Sequence, residues 1–213
     1  MVQLFSNPNV QNTEEQRTQR RWTVDEYHRM IAAGILGKGN AGYSRTEHQE
    51  YRRVERVELI DGYIFEMVPQ EPPHASTTSS FGNEFVMLFA KKAWVRQQLP
   101  LTITPSSEPE PDISVVKIDQ NRYRDRHPTP EDVYLLIEVA DSTLRFDRDR
   151  KAKLYAQANI PEYWVIDVKK RQVLVMRDPN GGEYQSQSIL DISDTISPVA
   201  FPDIVIPLSE FWA

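Results

Sequence analysis

The chain has 213 residues, enough for one domain with a substantial core, and its 25 basic against 31 acidic residues give a net charge of −6. The absence of cysteine excludes disulfides and thiolate metal sites, and the acidic balance argues against strong non-specific DNA affinity by net charge alone, while leaving room for a local basic groove. No apolar run approaches the roughly 20 residues that span a bilayer, and the N-terminus lacks the basic-then-apolar order of a secretion signal, so no membrane partner and a cytoplasmic location are expected.

Residues 1–20 read as a polar, flexible tail and residues 21–213 as a single domain. "WTVDEYHRMIAAGIL" predicts a helix with Thr23 as N-cap, Glu26 completing a capping box and Gly34 ending it. "GKGNAGYSRTEHQEYRR" is a polar connector; Gly37 and Gly39 lack the preceding strand and the Lys-Ser/Thr ending of a phosphate loop. "RVERVELIDGYIFEMVP" predicts a β-hairpin about an Asp61-Gly62 type I′ turn. From about Ala75, "HASTTSSFGNEFVMLFAKKAWVRQQ" predicts one long helix with Phe81, Phe85, Leu88 and Phe89 as its core stripe. "LTITP", "DISVV" and "VYLLIEVA" follow as strands. "RDRKAKLYAQAN" is a helix capped by Asp147 and stopped at Asn159. "EYWVIDV" and "QVLVMRD" form an antiparallel pair, "NGGEYQ" a turn, and "VAFPDIVIPLSEFW" a strand and a docking turn. The order implies an α/β (α+β) domain with a mixed sheet flanked by helices.

Glu138 is the first anomaly. An ionised carboxylate in a dry strand costs several kcal/mol unless it is paired or binds a cation, and "YLLI" and "VA" give it no local partner. It either meets an internal cation or opens to water at the strand's end. Asp112, directly after Pro111, heads another apolar strand. If the two strands are neighbours, the carboxylates repel, and a hard divalent ion such as Mg²⁺ relieves that repulsion and retains waters that can be activated. Lys151 shares a helical face with Asp147 and Tyr155 and can reach toward the pair, although an exposed helix lysine is ordinarily just solvated.

The run from Pro111-Asp112 through "IEVADSTLRFDRDRKAKLYAQANIPEYWVID", with the upstream "VELIDGYIFEMVP", His74 and "WTVDEYHRM", resembles the Uma-type restriction-endonuclease family of the PD-(D/E)XK nuclease superfamily, over about Arg21 to Trp212. The resemblance implies a restriction-endonuclease-like core: the long helix, strands holding Thr102, Asp112 and Glu138, the Lys151 helix, and "EYWVIDV". It implies Asp112 and Glu138 as ligands of Mg²⁺ or Mn²⁺, with the Val139 carbonyl joining them. It also implies Lys151 in place of the motif lysine, whose usual position is Ala140. Glu58 matches the hairpin's acid, as a further ligand or a water-orienting base, and His74 matches the family histidine.

Arg122, Arg124 and Arg126 crowd one loop, and Arg145, Arg148 and Arg150 surround Lys151, as candidate DNA contacts beside the site; each also suits a solvated surface. Tyr163-Trp164 reads as core rather than a base-stacking platform. Three functions follow: a Mg²⁺-dependent endonuclease on DNA acting as a homodimer, a catalytically silent binding module on the same core, and a carboxylate-pair hydrolase of sugars. The last explains neither Lys151 nor the basic flanks.

Overall fold

The computed structural model describes residues 19–36, 56–103 and 105–212; the polar connector and nearly all of the N-terminal tail lie outside the described residues. Helix α1 (Val24–Ala32) starts as expected. The Thr23 hydroxyl accepts the Glu26 N–H, and the Glu26 carboxylate accepts the Thr23 N–H. Its Val24 and Tyr27 pack against the hairpin β1 (Val57–Ile60) and β2 (Tyr63–Glu66), where the Tyr27 hydroxyl donates to the Val57 carbonyl at 2.7 Å. The turn residues Asp61 and Gly62 have φ of 51° and 79°, the type I′ signature. A Cβ at Gly62 would stand 2.6 Å from that of Arg21, so glycine is required there on two counts.

Six strands form the central sheet, in the order β3 (Trp94–Gln97), β4 (Ile113–Val116), β5 (Val133–Ala140), β6 (Glu162–Asp167), β7 (Gln172–Asn180) and β8 (Glu183–Asp191). Only β5 and β6 run parallel among these neighbours. A parallel pair needs a crossover, which a π-helical stretch, Phe146–Lys151, and the helix α3 (Ala152–Gln157) supply. Side chains alternate across β5. Leu135, Ile137 and Val139 join Phe81 and Phe85 of α2 (Pro72–Leu88) and its C-cap Phe89, all three rings being fully buried. Each such ring contributes about 1.5–3 kcal/mol. Leu136 and Ala140 join Leu154 and Tyr155 of α3 on the other face. Glu138, between them, therefore faces the α3 layer. The fold is a mixed α/β sheet flanked by helices.

Three expectations need correction. The long helix ends at Phe89. Lys91 turns left-handed with φ 67°, and "WVRQ" pairs with β4, sending Val95 to the α2 face and Trp94 to the other. That alternation has period two, not 3.6. The helix also begins three residues early, at Pro72, because proline is preorganised for the first turn. Accordingly β3, and not "LTITP", is the strand beside β4; Ile103 makes only an isolated bridge to Ser107. Strand β8 was missed because it is an exposed edge, with Tyr184 its one buried residue, and so carries no apolar alternation.

The C-terminal segment forms two short strands, β9 (Thr195–Ile196) and β10 (Ile206–Pro207), and a 3₁₀ turn. It completes the monomer's own core: Ile204, Ile206 and Leu208 are buried and Phe211 stacks on Phe81 at 3.8 Å. Tyr163 and Trp164 are fully buried, as core residues. Among the described residues, no helix is long and apolar enough to cross a membrane.

Candidate active site

The β4–β5 register pairs Ile113 with Ile137, which sets Asp112 across from Glu138 at the end of the sheet. Opposed residues carry Cβ atoms about 5 Å apart on one face. The same register sets Pro111 opposite Val139. Proline has no N–H to offer the Val139 carbonyl, while the Val139 N–H donates to Asp112 Oδ2 at 2.8 Å. On the α3 side, Lys151 Nζ lies 3.0 Å from Glu138 Oε1, 3.1 Å from Glu58 Oε2 and 4.0 Å from Asp147 Oδ1. The Tyr155 hydroxyl donates to the same Glu138 oxygen at 2.9 Å. His74, in the first turn of α2, places Nε2 3.2 Å from Asp112 Oδ2.

Glu58 reaches the cluster because the hairpin is fixed from two directions. Leu59 exchanges both backbone hydrogen bonds with Glu108, on the segment leading into Asp112. Arg150, one residue before Lys151, lays its guanidinium over Phe65 at 4.7 Å and Tyr63 at 5.3 Å and lies 3.8 Å from Asp61. A cation–π contact of this kind is worth about 0.5–1 kcal/mol.

Glu58, Asp112, Glu138, Asp147 and Lys151 are all buried. Desolvation, reinforced by the neighbouring carboxylates, pushes the Glu138 carboxyl well above its ordinary value, against the opposing pull of Lys151. Burial likewise raises Asp147 to about 6, although Lys151 and the Thr143 hydroxyl act the other way. Burial alone would lower Lys151, but Glu138, Glu58 and Asp147 outweigh it and hold the ammonium protonated. Burial would raise Asp112; the hydrogen bond and charge of His74 and the Val139 N–H bring it below the usual range. His74 in turn is held above its ordinary value, because Asp112 outweighs the imidazole's own desolvation.

The structure thus brings together five of the candidate side chains: Glu58, His74, Asp112, Glu138 and Lys151. Asp147 is not the helix N-cap expected. It sits within the π-helical stretch, inward-facing, and accepts the Thr143 hydroxyl at 2.6 Å. Its spacing of four residues from Lys151 was the signal for this role. Tyr155, expected only to share a helical face with Lys151, also holds Glu138. Gln98 carried no signal, yet its amide donates to Asp112 Oδ1 at 3.3 Å. Arg148 lies on the Lys151 stretch, half-exposed and bound to Asp149.

Arg122, Arg124 and Arg126 do not flank the carboxylates. Their loop joins the end of β4 to the start of β5, whereas Asp112 and Glu138 lie at the opposite end of those strands. Five residue steps along β5, about 17 Å, separate Val133 from Glu138. Arg124 and Arg126 instead line a separate cavity of about 620 Å³ with α1, Thr102 and His127, and Arg126 pairs with Asp132.

Among the described residues, no group of three or more histidine, aspartate and glutamate side chains is set to hold a metal ion. A hard ion that keeps its waters needs fewer protein ligands. Four buried carboxyl groups face one ammonium and one imidazole. With every carboxyl ionised the cluster would be short of positive charge by two or three units, an imbalance that adds to burial in raising Glu138 and Asp147. Asp112, Glu138 and the Val139 carbonyl are oxygen donors suited to Mg²⁺ or Mn²⁺, and a divalent ion would supply the missing charge. Glu162 makes the contrast. It is equally buried, but Trp164, Arg177 and the Val199 N–H satisfy both its oxygens, as in a structural ion pair.

The sequence profile of the family described as "Uma2: Putative restriction endonuclease" matches residues 45–209. The fold matches the crystal structure of "a putative nuclease belonging to DUF820" from Anabaena variabilis, with a TM-score of 0.64 and 16% identity, over 89% of this chain and 97% of that one. No curated protein matches the sequence.

Proposed function

Because the chain belongs to the Uma2 family, we propose that it is a metal-dependent endonuclease that hydrolyses phosphodiester bonds of DNA at the Glu58–Asp112–Glu138–Lys151 cluster. One observation carries this reading. The Lys151 ammonium reaches Glu138 Oε1 from the following helix, and so meets the need that Ala140, at the motif's lysine position, leaves open.

Asp112, Glu138 and the Val139 carbonyl would hold Mg²⁺ or Mn²⁺. Such an ion, when bound, supplies charge neutralisation at the phosphate and makes water more acidic. The chain's own groups do the rest. Lys151 is fixed as a cation, so it acts as a hydrogen-bond donor that orients water and offsets the charge developing on phosphorus, not as a base. Glu58, on the far side of that ammonium, accepts the proton of the attacking water. The water oxygen bonds to phosphorus in line as the opposite P–O ester bond breaks, and the leaving oxygen takes a proton from solvent, giving a phosphomonoester and a free hydroxyl. Tyr155 fixes the Glu138 carboxylate and His74 that of Asp112. Arg148, half-exposed on the Lys151 stretch, would meet the flanking backbone phosphates. Cutting both strands of a duplex calls for two such sites, and the chain works as a homodimer.

The test is cleavage of supercoiled plasmid by purified protein in Mg²⁺ or Mn²⁺, beside Glu138→Ala and Lys151→Ala. Nicking or linearisation that EDTA and both substitutions abolish is expected. Cleavage retained by either variant would place the chemistry elsewhere, and DNA binding without cleavage by the wild type would make the chain a binding module.

A further inference from the structure

Gln98 directly follows β3, and its backbone is left-handed, with φ 52°. That region is costly for a residue with a Cβ and no short polar side chain, and such strain persists only where the surroundings impose it. Here they do. The Gln98 N–H donates to both the Pro111 and the Asp112 carbonyls, each at 3.1 Å, so the turn clamps the backbone of the Asp112 motif. The side-chain amide then donates to Asp112 Oδ1 at 3.3 Å. Immediately before it, Gln97 lies where a Cβ on Gly82 would come within 2.3 Å of its carboxamide, so α2 packs closely on the end of β3 and fixes where the turn begins.

The two oxygens of Asp112 are held unequally. Oδ2 meets the Val139 N–H and His74, whereas among the described residues Oδ1 meets Gln98 alone. A carboxylate oxygen can accept more than one bond, and the Gln98 amide acts with the Val139 N–H and His74 in fixing the plane of the carboxylate.

We infer that Gln98 is a positioning residue for this site: its strained turn and its amide together aim Asp112 Oδ1 at the divalent cation. The inference rests on the metal reading above. Partners that orient a metal-ligating carboxylate typically account for about 10–100-fold in metal affinity.

The experiment is a calorimetric titration of Mn²⁺ into the wild-type protein, Gln98→Met and Gln98→Gly, with melting temperatures recorded in EDTA. Methionine keeps the side chain's length and removes the amide; glycine removes the amide and releases the backbone strain. Mn²⁺ dissociation constants about tenfold higher in both variants are expected. Gln98→Gly should melt no lower than the wild type in EDTA, so that it reports on the site even if Gln98→Met fails to fold. Equal Mn²⁺ affinity in the wild type and a folded variant would overturn the role of Gln98 and leave the metal reading standing. No saturable Mn²⁺ binding by the wild type would remove that reading, and the inference with it.

Discussion

Replacing Lys151 with alanine tests the electrostatics of the cluster with metal absent. The ammonium lies within 3.1 Å of two buried carboxylates, Glu58 and Glu138, and both approaches are almost closed to water. Removing one partner of such a pair typically costs about 3–5 kcal/mol. A second route gives the same size. Glu138 must hold a proton when its counter-charge goes, and a glutamate's ordinary value is 4.5. At 1.36 kcal/mol per pH unit, the uptake counted from that value costs at most about 4 kcal/mol at pH 7.5 and about 1.4 kcal/mol at pH 5.5. Both are upper bounds, because burial already raises this carboxyl in the wild type. In a domain of this size 1 kcal/mol moves the melting temperature by about 2–4 °C, so Lys151→Ala should melt about 10 °C lower at pH 7.5 and only a few degrees lower at pH 5.5. Thermal unfolding followed by circular dichroism in EDTA at the two pH values reads both numbers. Adding Glu138→Gln to Lys151→Ala should restore much of the loss. A deficit under about 2 °C at pH 7.5, or one that does not change with pH, would mean that the ammonium is not neutralising buried carboxylates.

The wild-type protein in EDTA should lose stability as pH rises through the cluster's titration. The Asp147 carboxyl is raised from 3.8 to about 6, so the folded state holds a proton that the unfolded state has released. Its contribution is complete below pH 3.8 and is lost by about pH 6, a change of roughly 3 kcal/mol. His74, also raised, continues the decline above pH 6.5, while Asp112, lowered, acts only in the acid range. Melting temperatures falling between pH 4.5 and 6.5, and falling less in Asp147→Asn, are expected; a rise in the wild type over that window would reverse the assignment. Arg122→Ala with Arg124→Ala should leave the salt dependence of DNA binding unchanged, since both sit at the far end of the strands. Arg148→Ala should lower the slope of log K against log salt by about 0.9, one phosphate contact. The opposite pattern in filter-binding titrations would move the DNA to the α1 cavity.

Much of the candidate cluster was legible because its residues break the pattern of their surroundings. Glu138 interrupts an apolar strand, Asp112 follows a proline that ends a ladder, and Lys151 faces the sheet at helical spacing from Tyr155. The hairpin was legible from Asp61-Gly62, where only particular residues tolerate the backbone. Other features depend on tertiary geometry. Helix α2 and β3 fuse in the sequence because "AKKAWVRQQ" is acceptable to a helix; only pairing with β4 selects the strand. Asp147 resembles an N-cap because the π-helical stretch that turns it inward leaves no mark on composition. The arginine loop looked adjacent to the site because both its neighbours in sequence are acidic strands. The antiparallel register puts it at their other end. Gln98 is an ordinary strand-end glutamine until its φ is known.

Anomalous diffraction from crystals of the protein soaked in Mn²⁺ addresses the central claim most directly. One strong peak is expected in bonding contact with an oxygen each of Asp112 and Glu138, with Lys151 beside it. Saturating Mn²⁺ with no peak at these carboxylates, Asp112 still bound to His74 and Glu138 still closed by Lys151 and Tyr155, would contradict it.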